Sequence, residues 1–415
     1  MEKSSLKSLS VLMATAFVDM LGSLILVPLI PFYALRFGAD AFTISLLTSA
    51  FFFAQLCAAP YWGRLSDRLG RRPVILLGQL VSAGAFLVFG LADSLWLLFL
   101  SRLVQGAAGG MTGVVQAYVS DVAPPSERAQ ALGWVSAATS AGVMIGPVLG
   151  SFATRFGEAA PGYLAASLCL LNFVSALKWL AEPPRAAGVD EAGEPSVTSA
   201  APRPSIWRTT LPVIQRPKEP VHRLIWIYAL GMLAFMGMNS ILGLYLAQRF
   251  GATEQTLGWY FAYVGVLSLV LRALLLGPIV RRLGEVKTMQ IGALSMCLGM
   301  FGVAGIGELG LAAPFKFVAL GLVVIFVPVG TALLFPANTS QISARAPRRE
   351  MGLTLGVQQA FGGMGRVIGP ALAGLAFRFL GAPTPFWVGS MVLAMVFLLG
   401  LGLEKDAPAA KIPPS

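Results

Sequence analysis

Of the 19 acidic residues in the chain, only Asp19 falls well inside a long apolar run, "LSVLMATAFVDMLGSLILVPLI". A carboxylate held away from water is costly to keep charged. A proton, a bound cation or a permanent arginine partner can offset that cost. This is the chemistry of carrying an ion or a proton, not of making bonds. Three arginines also stand in apolar runs: Arg102 in "FLSRLVQGAAGG", Arg272 in "LSLVLRALLLG" and Arg366 in "FGGMGRVIGP". An enzyme site would need a nucleophile with a base, a carboxylate pair or metal ligands. The single His is His222, and Cys57, Cys169 and Cys297 lie far apart in apolar stretches, without disulfide or zinc spacing. No GxxxxGK[ST] segment is present to bind ATP. The expectation is therefore a protein with no enzymatic activity, no metal and no cofactor.

The elements that must hold these residues follow from composition. Of the 415 residues, 56% are apolar and 12% charged, with a mean hydropathy of +0.75. A soluble domain carries roughly 25% charged residues, so much of this surface must face lipid. About 20 apolar residues cross a bilayer, which predicts twelve spans, at residues 9–35, 42–62, 73–92, 95–120, 129–154 and 161–181, then 223–248, 255–280, 287–307, 314–341, 350–379 and 385–403. The start of the chain lacks a small-residue cleavage site and reads as the first span, not as a signal peptide. With both termini placed in the cytoplasm, the outer segments hold only Arg36, Arg155, Arg249, Lys316 and Arg378 among the basic residues. That asymmetry fixes the orientation. It also accounts for most of the net +11, which therefore implies no nucleic-acid partner. The domain reading is an N-terminal six-helix bundle (1–181), a cytoplasmic linker rich in Pro, Ala, Ser and charge (182–221), a C-terminal six-helix bundle (222–404) and a cytoplasmic tail (405–415). "SIWRTTLPVI" within the linker reads as a short surface helix.

Asp19 lies about ten residues into the first span, or about 15 Å at 1.5 Å per residue, near the midplane. Arg102 lies within roughly 5 Å of it in depth. The pair is expected to exchange a proton; alternatively Arg102 snorkels outward or ties backbone carbonyls. Gly362, Gly363 and Gly365 leave room beside Arg366 for a substrate headgroup or for a fixed link between helices. Phe17, Phe52 and Tyr245, with Gln116, Asn239 and Gln358, stand on spans expected to line a central cavity. There they would touch substrate, or they serve as packing and helix-joining groups.

The two halves repeat. "SDVAPPSERAQALGWVSAATSAGVMIGPVLG" from Ser120 matches "SARAPRREMGLTLGVQQAFGGMGRVIGPALAG" from Ser343 at a fixed offset of 223. Gly142, Gly146 and Pro147 thereby align with Gly365, Gly369 and Pro370, and "GRLSDRLG" at Gly63 pairs with "GPIVRRLG" at Gly277. Repeated six-span halves mark transporters with a central site. The Gly-x-x-x-Gly spacings allow close helix packing, and the prolines can kink their helices.

Several segments carry a resemblance. "GRLSDRLGRRP", Gly63 to Pro73, is similar to the loop signature of the major facilitator superfamily, and "RLVQGAAGG" resembles its fourth-span motif. "GVMIGPVLG" resembles the fifth-span motif of its drug:proton antiporters, and "FVDMLGSLILVPLIPFYA" the first span of the twelve-span, tetracycline-exporter-like branch. The resemblance implies an all-α integral membrane fold of two pseudo-symmetric six-helix bundles. It implies a gating latch built from Gly63, Asp67, Arg68, Gly70, Arg71 and Asp121. Asp67 would sit at the N-terminal end of span eleven and Arg71 would pair with Asp121. In the second copy Arg281 stands where Asp67 would match, so only the first loop is expected to latch.

The function expected is proton-coupled export of lipophilic small molecules by alternating access, in a monomer, in a cell membrane of the bacterial inner-membrane kind. Asp19 would carry the proton, or a Na⁺ in its place. The surplus of intramembrane arginines suits an anionic, zwitterionic or neutral amphiphile, so a lipid or glycolipid flippase of the same fold is the alternative. A sugar or metabolite exporter is a further one.

Overall fold

The structure, a computed structural model, describes residues 3–124, 127–183, 206–274, 276–310, 312–347 and 350–403. Most of the linker and the whole tail 405–415 therefore lie outside the described residues. Among those described there is no strand; the apolar runs are helical, the form that pairs backbone groups within one segment, as lipid requires.

The expected first span is two helices, α1 (Lys3–Leu26) and α2 (Ile30–Arg36). A turn at residues 27–29 parts them, because Pro28 has no amide to continue the ladder. Span two is α3 (Ala41–Leu69), which runs seven residues beyond its expected end at 62. "GRLSDRL" is thus helix and not a loop, a correction to the sequence reading. Arg, Leu and Asp are tolerated in a helix, and only Gly70, at φ 103°, stops it. A Cβ on Gly63 would meet nothing within 4 Å.

α4 (Arg71–Gly90) follows. Span four is split into α5 (Leu95–Gly109) and α6 (Thr112–Val122). Then come α7 (Arg128–Ala153) and α8 (Ala160–Trp179). The expected linker helix is α9 (Ile206–Gln215), held where Trp226 Nε1 donates to the Val213 carbonyl at 3.0 Å. The second half contains α10 (Pro220–Phe250), α11 (Glu254–Leu274) and α12 (Leu276–Glu308), the last interrupted at Gly284. α13 (Ala313–Val324), α14 (Phe326–Arg345), α15 (Met351–Leu380) and α16 (Thr384–Leu401) complete it. Ten helical stretches among the described residues are long and apolar enough to cross a membrane. With the split span four and α11, the count is twelve.

The chain forms two compact units. The first takes in the described parts of Met1–Ala39, Ala50–Ser205 and Thr253–Ala262; the second those of Asp40–Ser49, Ile206–Ala252 and Tyr263–Ser415. In lipid, apolar burial drives helix association little, and close backbone packing does the work. Each unit shows this on one long helix pair. In the first, a Cβ on Gly142, Gly146 or Gly150 of α7 would lie 2.5, 2.8 or 2.1 Å from carbonyl oxygens of α1. In the second, a Cβ on Gly365 or Gly369 of α15 would lie 2.6 or 2.3 Å from those of α10. Pro147 and Pro370 follow these glycines inside their helices.

The turns repeat as well. Among the described residues six glycines take positive φ, and they form three matched pairs: Gly38 with Gly251, Gly70 with Gly284, and Gly157 with Gly381. "Arg-Phe-Gly-Ala" frames both members of the first pair, Arg36 to Ala39 and Arg249 to Ala252.

Candidate functional site

Two clusters of the first unit hold Asp67, Gly70, Arg71, Asp121, Asp19 and Gln116 of the expected residues. The first is the turn between α3 and α4. Arg71 follows Gly70 at the start of α4, so its side chain can reach both flanking helices. Its Nη1 lies 2.8 Å from Asp67 Oδ1 and 2.6 Å from Ser66 Oγ, and its Nε donates to Asp121 Oδ2 at 3.0 Å. Asp67 and Arg68 are exposed. The structure thus brings Asp67, Gly70, Arg71 and Asp121 together, with Ser66 as a partner the sequence reading missed.

The second cluster is a cavity of about 550 Å³, lined by α1, α4, α6, α7 and α8. Asp19 and Gln116 line it, with Thr15, Gln79, Thr139, Cys169 and Asn172. No hydrogen bond or ion pair engages the Asp19 carboxylate among the described residues. Thr15, one turn before Asp19 on the same face, organises the floor. Its hydroxyl donates to the Val11 carbonyl at 2.9 Å, so its oxygen can only accept from elsewhere. It accepts from Gln79 Nε2 and Asn172 Nδ2, both at 3.2 Å. The two carboxamides are thereby oriented by the threonine. Their signal in the sequence was a lone amide in each of two apolar runs, "VILLGQLVSAG" and "LCLLNFVSAL".

Arg102 does not join Asp19: no ion pair links them among the described residues, and Arg102 does not line the cavity. It is 2% exposed on α5, with its guanidinium 5.0 Å from the Phe89 ring centre. The rest of its motif is structural. Gln105 donates to Ser23 Oγ at 3.3 Å, and a Cβ on Gly106 would lie 2.1 Å from the Phe51 carbonyl oxygen.

The residues expected to touch substrate are scattered. Phe17 and Phe52 are half-buried, Phe52 packing edge-on to Phe51. In the second unit, Tyr245 is fully buried; its hydroxyl donates to the Val303 and Ala304 carbonyls and its ring lies 4.4 Å from that of Phe386. Gln358 is likewise fully buried, donating to Asn338 Oδ1 at 3.1 Å and Thr339 Oγ1 at 3.0 Å. In both, the donated bonds join helices, the packing and helix-joining alternative of the sequence reading. Asn239 donates to the Phe235 carbonyl at 2.8 Å along its own helix. Arg366 is half-buried, with Nη2 3.3 Å from Gln359 Oε1.

Comparison with known proteins agrees with this frame. The family model described as Major Facilitator Superfamily matches residues 12–328 and 224–415. The chain is 28% identical over 412 residues to Multidrug resistance protein 2 of Bacillus subtilis, covering 97% of this chain and 96% of that protein. It is 24% identical over 400 residues to Tetracycline resistance protein, class B, of Escherichia coli, covering 95% and 92%. Among solved structures, a bacterial homolog of the human lysosomal transporter Spinster is similar with a TM-score of 0.75 at 17% identity, covering 99% of this chain and all of that one. The human organic anion transporter MFSD10 is similar with a TM-score of 0.66 at 22% identity, covering 96% and 100%. With twelve spans, a glycine-marked repeat and a family match over most of its length, the chain belongs to the Major Facilitator Superfamily.

Proposed function

We propose that the chain is a secondary active transporter that exports lipophilic small molecules by alternating access, driven by protons carried on Asp19. The observation that carries this reading is a carboxylate without an ion-pair partner on the wall of a 550 Å³ cavity that is otherwise largely apolar. Such a group is stabilised by a proton in one state and by solvent or substrate in the other. Relatives named for resistance to multiple drugs, to tetracycline and to quinolones support the substrate class. Arg71 with Asp67 and Asp121 forms the gate, closed in one state and parted in the other. Charge asymmetry supports termini in the cytoplasm; a monomer in a bacterial inner membrane completes the proposal.

The test is transport in proteoliposomes under an imposed pH gradient, comparing wild type with Asp19→Asn on lipophilic dyes, drugs and a labelled lysolipid. Dye movement that follows the gradient and falls at least about tenfold in Asp19→Asn is expected. Gradient-driven transport that survives the substitution sinks Asp19 as the carrier, and transport that follows a Na⁺ gradient instead moves the coupling to sodium. A second reading, lipid flipping, draws on the buried Arg102 and the half-buried Arg366; lysolipid movement with inert dyes would establish it.

A further inference from the structure

The turn that carries Arg71 is held by a residue from elsewhere in the chain. Glu182, three residues past the end of α8, accepts the backbone amide of Arg71 on Oε1 at 2.7 Å and that of Arg72 on Oε2 at 2.9 Å. These are the first two amides of α4, which have no partner inside the helix. The positive end of the helix dipole favours a carboxylate there. Gly70, the residue at the N-cap position, has no side chain to do this work itself. A Cβ on Gly70 would lie 2.4 Å from Glu182 Oε1. Glycine is thus required twice at that position, for φ 103° and for the carboxylate's approach.

The neighbouring contacts close a ring. Arg72 Nη2 donates to the Leu177 carbonyl at 2.8 Å, drawing the start of α4 onto the end of α8. The buried Tyr118 of α6 donates its hydroxyl to the carbonyl of Ala181, the residue before Glu182. Asp121 stands one turn beyond Tyr118 on the same helix, and it accepts from Arg71 Nε. So the path runs from Glu182 to the Arg71 backbone, through its side chain to Asp121, back along α6 to Tyr118, and home to Ala181.

We propose that Glu182 is the positioning residue of the gate: it aims the Arg71 guanidinium at Asp121 by fixing the backbone of Arg71 itself, and so ties the root of the linker to the latch. The functional half of this proposal rests on the transport reading above; the structural half does not. A long arginine side chain loses rotamer entropy on pairing, and a fixed Cα reduces what remains to be ordered. Without Glu182 the first turn of α4 frays and Arg71 samples positions from which Asp121 is out of reach.

The test measures amide hydrogen exchange of Arg71 and Arg72 in the full-length protein in detergent, together with transport kinetics in proteoliposomes. In Glu182→Ala both amides are expected to exchange about tenfold faster, and the maximal transport rate to fall about fivefold with KM unchanged, as for a step that follows binding. Glu182→Gln keeps one acceptor and should fall between, which also serves if the alanine variant does not fold. Gly70→Ala should raise the same exchange rates and add little to Glu182→Ala, since both open one clamp. Wild-type exchange rates at both amides in the Ala and Gln variants would overturn the clamp. Faster exchange with unaltered kinetics would overturn its role in gating. A wild type that moves none of the compounds sinks the transport reading, and the exchange rates still decide the clamp.

Discussion

Gly70 and Gly284 end matching eight-residue segments, Gly63–Gly70 and Gly277–Gly284, and take φ of 103° and 78°. The residue after each is opposite in sign. Arg71 reaches two carboxylates and a serine hydroxyl. Among the described residues Glu285 reaches no opposite charge: Oε1 accepts from Ser340 Oγ at 2.5 Å and Oε2 from Gln341 Nε2 at 2.6 Å. The backbone turn and the charge pairing are therefore separable. One copy keeps the turn and links ions that can part in water; the other keeps the turn and binds a carboxylate to neutral groups. Opposed ions attract over a distance and are screened by salt, whereas neutral hydrogen bonds act only in contact. The proposed gate needs the former.

Four expected outcomes bear on this comparison. The largest effects lie where the halves agree. Gly150→Leu and Gly369→Leu, with a Cβ 2.1 and 2.3 Å from a facing carbonyl, should each cost more than about 3 kcal/mol and abolish monodisperse protein. Gly133→Leu and Gly356→Leu meet open space and should elute and melt as wild type; equal losses in all four would break the packing argument.

Next, Arg71→Ala should lower the transport rate about tenfold, the worth of charge-assisted hydrogen bonds, and Glu285→Ala only about twofold. Equal effects would make both turns gates.

Smaller again, Gly284→Ala should cost about 1 kcal/mol for its left-handed backbone alone, and Gly70→Ala about 2, since it also meets a carboxylate. Thermal melts of the two variants rank them.

The smallest concerns two helix starts. At α3, Asp40 Oδ1 accepts the Thr43 amide at 2.9 Å and its hydroxyl at 2.6 Å; at α11, Thr253 Oγ1 accepts the Thr256 amide at 3.3 Å. The bonds from Thr43, with a smaller contribution from Arg378, hold Asp40 below its ordinary pKa. A carboxylate lowered on folding contributes stability above its unfolded pKa of about 3.9, and loses it as pH falls through the lower folded value. Melts of Asp40→Asn should thus lose a little of the acid dependence below about pH 4, while Thr253→Val changes none of it.

The sequence made the architecture legible because lipid leaves few options: long apolar runs must be helices, and the glycine spacing on α7 and α15 can serve only close packing. Asp19 was legible as a charge out of place. The polar floor beneath it was not. Thr15, Gln79 and Asn172 are separated by 64 and 157 residues from Thr15 outward, and no periodicity links them. The extent of α3 was misread because charge was taken for loop; a charged helix end and a charged turn look alike until one residue, Gly70, is seen to have positive φ. For Tyr245 and Gln358 the sequence left substrate contact and helix joining both open. A polar tip on an apolar helix signals a partner but not its kind, and here the partners are backbone and side chains of neighbouring helices.

The paired corners also bear on descent. If the two halves arose from one ancestral six-helix unit, then Gly38 with Gly251, Gly70 with Gly284 and Gly157 with Gly381 are what that ancestor left most clearly. The residue after Gly70 and Gly284 has since changed sign, and the first span has split while its counterpart α10 has not. No L-amino acid enters these torsion angles cheaply, so drift could rewrite the charges around each corner while its fold line stayed where duplication first set it.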